Sequence, residues 1–299
     1  KGQKMSLIQK SPLARFRRKT DLRITEKEIP IGLSKGVSVI RDVPYLKDGN
    51  RAHLLDIYCP ITYEDEIPVI VYIHGGGFES GSKDLTRHFC MKLSNYGFLV
   101  FSLEYRLCPE TNVYGQLQDI AAALHYVDKM GPKFRGIPGM IHMAGDSAGA
   151  FLAIYTAAIQ RNPVLARAAE VRPCYLEIKS LALISGMYYI QKMPGYVQRR
   201  VLGMNYKQHP FYPYLDASRP ILGLSIPECM LITSKKDKHY FQTRDLAEAL
   251  CKWETPSILK DYGSDPSLSH AFCVSDPERP ESRMVIHDIV TFFRENESE

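Results

Sequence analysis

The chain alternates short apolar runs with longer stretches in which apolar residues recur every three or four positions. Two early runs, VSVIRDVPY (37–45) and HLLDIYC (53–59), flank Asp48-Gly49-Asn50 and predict an antiparallel strand pair with that turn between them. PVIVYIH (68–74) is almost continuously apolar, which predicts a strand buried on both faces and ended by Gly75-Gly76-Gly77. From about Leu85 to Tyr96 the spacing is helical, and Gly97 stops it. FLVFSL (98–103) predicts a further buried strand. The next helix runs from about Tyr114 to Met130, with Leu117, Ile120, Ala121, Leu124 and Val127 on one face. Met140 to Ala144 then enters Gly-Asp-Ser-Ala-Gly (145–149) and leaves as an Ala-rich helical pattern: strand, sharp turn, helix. KSLALISGM (179–187) and CMLITS (229–234) predict two more buried strands. A helix over 240–253, a strand over 257–262 and a helix over 280–295, with Val285, Ile289, Phe292 and Phe293 inward, complete the pattern.

Strands alternating with helices predict an α/β fold with a mostly parallel sheet covered on both faces. Residues 188–227 break the rhythm. They carry Tyr188, Tyr189, Tyr196, Tyr206, Phe211, Tyr212 and Tyr214 among several prolines. A long insertion between central strands reads as a lid or binding loop, and equally as a packed subdomain whose aromatics are its own core. The organisation expected is an N-terminal arm (1–35), a core (36–187 and 228–299) and a lid or insertion (188–227).

Composition narrows the class. The 299 residues are 45% hydrophobic and 24% charged, ordinary for a soluble globular protein with one large domain. No apolar run approaches the roughly 18–20 residues of a membrane span, and the basic start is not followed by the apolar stretch of a secretion signal. The 7 cysteines are odd in number, scattered singly and without a C-x-x-C pair. That pattern predicts reduced thiols in the cytoplasm, with no metal site and no disulfide framework. The net charge of +5 comes from 38 Lys and Arg against 33 Asp and Glu. Lys1, Lys4, Lys10, Arg15, Arg17, Arg18 and Lys19 all precede the first acid, Asp21, so the basicity belongs to the arm. SPLARFRRKT reads as a solvated amphipathic helix, and neither nucleic-acid binding nor stable membrane association is expected.

Candidate chemistry starts at Ser147. A turn of this kind forces its central residue into a strained conformation, needs small neighbours two positions either side, and lifts the hydroxyl to a helix N-terminus. Serine is a weak nucleophile at neutral pH, so it needs a base, an orienting acid and preorganised donors for an oxyanion. The donors expected are the N–H groups of Gly75, Gly76 and Ala148. Among nine histidines, His74 belongs to the glycine loop and is expected to orient it. His142 lies within the strand before Ser147, and His88, His125 and His287 within helical patterns. His53 is in an early strand and His209 in the insertion. His239 follows the acid candidate too closely to face it. His270, in the loop after ILKDYG, remains as the base. The acid expected is Asp237, three residues beyond Ser234, with capping of the following helix as its ordinary alternative. Phe78, Tyr188, Tyr189 and Tyr212 are candidate substrate-binding residues.

These residues give a resemblance to the hormone-sensitive-lipase-like branch of the α/β-hydrolases, especially small bacterial esterases. It rests on HGGGF (74–78), GDSAG (145–149), Tyr105-Arg106-Leu107 with Pro109-Glu110, Gln242-Thr243 in the acid loop, and Ser269-His270-Ala271-Phe272, and it spans about residues 50–295. The resemblance implies an eight-stranded sheet, catalysis by Ser147, His270 and Asp237, an oxyanion hole from Gly75, Gly76 and Ala148, and a lid. It also implies a supporting role for Asp146. The chain departs from the family pattern at Cys108, at Asn112-Val113-Tyr114-Gly115, and in the polar Lys-His-Tyr after Asp237. The expected activity is hydrolysis of small soluble carboxylic esters, with short or small aromatic acyl groups and no cofactor. An amidase or peptidase using the same residues, and a ligand-binding protein on a hydrolase scaffold, stay open, as does a homodimer.

Overall fold

The computed structural model describes residues 36–61, 65–174 and 176–297. The N-terminal arm, with the helix expected in SPLARFRRKT, lies outside the described residues. Eight strands form one sheet: β1 (Val37–Pro44), β2 (Leu54–Pro60), β3 (Ile67–Ile73), β4 (Leu99–Leu103), β5 (Gly136–Asp146), β6 (Ile178–Ile184), β7 (Glu228–Thr233) and β8 (Ser257–Asp261). Their order is β1-β2-β4-β3-β5-β6-β7-β8. β2 runs antiparallel to both β1 and β4, and every later pairing is parallel. This is the α/β-hydrolase fold.

Strand side chains alternate between two cores, as a period of two requires. Val69, Val71 and Ile73 of β3 pack on one face with α2 (Val113–Met130) and α3 (Ala148–Arg161), whereas Ile70 and Tyr72 pack on the other with α1 (Arg87–Asn95) and α9 (Pro280–Glu295). Burial on both faces is why these strands read as unbroken apolar runs. The helix expected from Leu85 begins as a 3₁₀ turn, Lys83–Thr86, and becomes α1 at Arg87. A short helix, α4 (Pro163–Ala168), follows α3 at once. Pro163 begins it, and the Asn162 side chain accepts from the N–H groups of Val164 (2.9 Å) and Leu165 (3.4 Å).

The insertion holds α5 (Gly195–Leu202), α6 (Pro220–Gly223) and single 3₁₀ turns. Most of its aromatics pack inward, whereas Tyr196 is 71% exposed. Phe211 is fully buried against Tyr155 of α3 and Tyr114 of α2, with ring centroids at 5.8 and 6.5 Å, and His209 stacks on Tyr114. Among the described residues no helix is long and apolar enough to cross a membrane. The remaining helices, α7 (Tyr240–Lys252) and α8 (Phe272–Ser275), bracket the loops that follow β7 and β8.

Candidate active site

β5 delivers Ser147 at φ +53°, ψ −115°, a conformation that L-residues avoid. A Cβ on Gly149 would lie 2.1 Å from the Ile73 carbonyl oxygen, and one on Gly145 would lie 2.6 Å from the Gly149 backbone. Strand and helix cross so closely that both positions need glycine. The strained residue is pinned by its neighbours: its N–H donates to Ile184 O (2.8 Å) and its carbonyl accepts from Met187 N–H (3.2 Å).

His270 reaches the same point from the loop between β8 and α8. Its Nε2 lies 2.9 Å from Ser147 Oγ and its Nδ1 2.8 Å from Asp237 Oδ1. A carboxylate only accepts, so Nδ1 carries the proton and Nε2 is left as the acceptor for the serine hydroxyl. Two bonds fix the loop: Ala271 N–H donates to Ser185 Oγ (3.0 Å), and Ser234 Oγ donates to the Leu268 carbonyl. Asp237 is buried, which alone would raise its pKa. The His270 hydrogen bond, the neighbouring Ser185 hydroxyl and the His239 backbone N–H outweigh burial and hold it below the usual range.

The glycine loop departs from expectation at one position. Gly75 N–H donates to Asp146 Oδ1 (3.0 Å), which also accepts from Tyr72 Oη (2.9 Å). The Gly75 donor is therefore occupied, and the expected role of Gly75 as an oxyanion donor does not fit. The N–H groups of Gly76, Gly77 and Ala148 have no partner among the described residues. Gly77 is at φ +62°, and a Cβ there would meet nothing within 4 Å, so it borders open space. The Gly76 carbonyl is turned away into bonds with Ser80 N–H (3.0 Å) and Ser80 Oγ (2.8 Å). His74 braces the loop: its Nδ1 lies 2.7 Å from Gly75 O, and its ring stacks on Tyr105, whose hydroxyl donates to His74 O. Burial raises the pKa of Asp146 above the usual carboxylate range, against the Tyr72 bond and the nearby His74 and His270.

The expected substrate-binding aromatics are mostly buried in packing contacts. Phe78 is fully buried and meets Phe151 edge to face at 5.4 Å. Tyr188 is fully buried with its ring against Gly186, where a Cβ would lie 2.0 Å from Cζ. Tyr189 is 3% exposed under the Lys192 ammonium, and Tyr212 packs on Tyr206. Flat apolar rings gain more by filling the core shared by the insertion and α3 than by facing water. In this structure Phe78, Tyr188 and Tyr189 are buried among packing side chains, and Tyr212 is half-buried. Two features escaped the sequence reading. Arg200 of α5 forms an ion pair with Glu79, which fastens the insertion to the segment after the glycine loop. His239, set aside as too near Asp237, stands edge-on to His270 with centroids 5.0 Å apart.

A serine on a strained strand-to-helix turn, in line with a histidine and a buried carboxylate, on this sheet order, defines the protein as an α/β-hydrolase. Comparison narrows the class. Residues 55–192 match the BD-FAE family. The chain is 31% identical to carboxylesterase NlhH of Mycobacterium tuberculosis over 144 residues, which are 48% of this chain and 40% of that protein. It thus spans less than half the length of this curated relative. Esterase B from Lactobacillus rhamnosis, solved with a tributyrin phosphonate inhibitor, superposes with a TM-score of 0.86 at 25% identity, over 95% of this chain and 93% of that one. An esterase from the archaeon Pyrobaculum calidifontis shares the fold with a TM-score of 0.70 at 22% identity, over 95% and 93% of the two chains. These likenesses are consistent with an α/β-hydrolase of the hormone-sensitive-lipase-like family, the resemblance the motifs carry.

Proposed function

We propose that the protein is a serine carboxylesterase that works through an acyl-enzyme. The observation that carries this reading is the unbroken line from Ser147 Oγ to His270 (2.9 Å) to Asp237 (2.8 Å) beside unpaired backbone donors. Ser147 attacks the ester carbonyl while Nε2 of His270 takes its proton. Asp237 holds the imidazole tautomer and stabilises its charged form. The N–H groups of Gly76, Gly77 and Ala148 receive the tetrahedral oxyanion, with Gly77 replacing the Gly75 of the sequence reading. His270 then protonates the leaving alcohol, and water repeats the cycle on the acyl-enzyme.

The substrates proposed are small soluble esters with short acyl chains. Support comes from the tributyrin phosphonate held by the Lactobacillus relative and from aromatic packing that fills the insertion with side chains. The test is kcat/KM for p-nitrophenyl esters of rising acyl length, with Ser147→Ala as control. Activity is expected to peak at about two to four carbons and to vanish in the control. A rate climbing steadily to roughly twelve carbons would overturn the substrate class, and an active Ser147→Ala would overturn the mechanism.

A further inference from the structure

The acid loop holds a second imidazole whose proton the hydrogen bonds locate. Gln242 Oε1 accepts from Tyr189 N–H (3.1 Å), so the other atom of that amide is its NH₂. This NH₂ lies 3.1 Å from His239 Nδ1. An amide NH₂ only donates, so Nδ1 must accept, and the single proton of the neutral ring sits on Nε2. Burial, aided by His270 and Lys238, pushes the pKa of His239 down to about 4, which keeps the ring neutral in the working range. His239 N–H donates to Asp237 Oδ1 (2.8 Å), and the ring stands at 82° to that of His270. Its position is therefore held from three directions. Nε2 has no partner among the described residues and is not one of their buried unpartnered atoms, so its N–H points to accessible space.

When the acyl-enzyme forms, His270 Nε2 must hand a proton to the departing oxygen, so this oxygen comes within hydrogen-bond reach of it. His239 stands 5.0 Å from His270, ring centroid to ring centroid, which puts its free N–H beside the group that protonates the alcohol. We propose that His239 Nε2–H is a specificity-determining donor that favours leaving alcohols bearing a second oxygen close to the ester, as in polyol and glycol ether esters. The inference rests on the ester-hydrolysis reading and adds the alcohol half of the substrate to it.

The test uses n-butyl butyrate and 2-methoxyethyl butyrate, which differ by one CH₂ replaced with oxygen, on the intact chain. Both give the same butyryl-enzyme, so the ratio of their kcat/KM values reads acylation alone. Comparing that ratio between wild type and His239→Phe cancels the intrinsic difference between the alcohols. The preference for the methoxyethyl ester is expected to fall about 3- to 10-fold in the variant, the effect of one neutral hydrogen bond. A merely structural role would lower both rates alike and leave the ratio unchanged, and that result overturns the inference. Should His239→Phe lack a cooperative melting transition, His239→Leu is read in its place. Wild type that hydrolyses neither ester, nor p-nitrophenyl butyrate, would instead overturn the ester reading itself.

Discussion

Asp146 offers the sharpest separation of geometry from charge. One oxygen, Oδ1, accepts from both Gly75 N–H (3.0 Å) and Tyr72 Oη (2.9 Å) within a buried pocket. Asp146→Ala removes the acceptor of both donors. Each orphaned donor costs about 1–3 kcal/mol, so the variant should lose about 2–6 kcal/mol, a large part of the roughly 5–15 kcal/mol that holds a domain together. The glycine loop also loses the tie that aims Gly76 and Gly77. Loss of one aligned oxyanion donor lowers kcat by about 10²- to 10³-fold, and a loss of that order is expected. Asp146→Asn is different, because its amide oxygen can occupy the Oδ1 position and keep both bonds. It should fold with near wild-type stability and retain activity within about tenfold, less than one misplaced donor costs. Urea denaturation and kcat for a butyrate ester measure the two effects. If Asn is as inactive as Ala, then the negative charge near His270, rather than the tether to Gly75, is what matters. If Ala is fully active, Asp146 does not hold the loop.

Ser147→Ala and His270→Ala should each lower kcat by at least about 10⁴-fold, and the double variant should be little worse than either, because the pair acts as a unit; additive losses in the double variant would contradict this. Gly149→Ala should give no soluble folded protein, since its Cβ would lie 2.1 Å from Ile73 O, whereas Gly77→Ala, facing open space, should fold and lose activity, a contrast read by expression, melting and rate. His142 is fully buried, stacked on Phe293 and held down to about 3. The unfolded chain takes up a proton there below about pH 6.5 and the folded chain does not until about pH 3, so this site's stabilising contribution falls as pH drops through that window. The stability gap between wild type and His142→Phe should shrink by about 1.4 kcal/mol per pH unit below pH 6.5, and a gap constant from pH 7.5 to 5.5 in denaturant melts would refute this.

Much of the architecture was legible in the chain. Strands buried on both faces cannot alternate in polarity, so β3, β4, β6 and β7 stood out as apolar runs, and the 3.6-residue period marked α2 and α9. Ser147, Asp237 and His270 were found by chemistry and chain order, and the structure brings them into line. What stayed hidden depended on contacts distant in sequence. Three glycines in a row do not tell which N–H is occupied, because the acceptor at Asp146 lies 71 residues away. Clustered tyrosines look the same whether they face a ligand or one another, and only the docking of the insertion on α3 decides. His239 was discounted because a residue two places from Asp237 cannot easily turn its ring onto that carboxylate. Its backbone made that bond instead, which freed the ring to meet His270.

Ser147, Asp237 and His270 also have an order in time. The nucleophile precedes its base by 123 residues, and β6, β7 and β8 must all be laid beside β5 before Asp237 and His270 can reach it. During synthesis the serine emerges long before anything that can activate it. A nascent or truncated chain carrying the complete elbow is therefore chemically silent. On the proposed mechanism, reactivity switches on only when the far half of the sheet has closed, so hydrolytic competence would itself report that folding has finished.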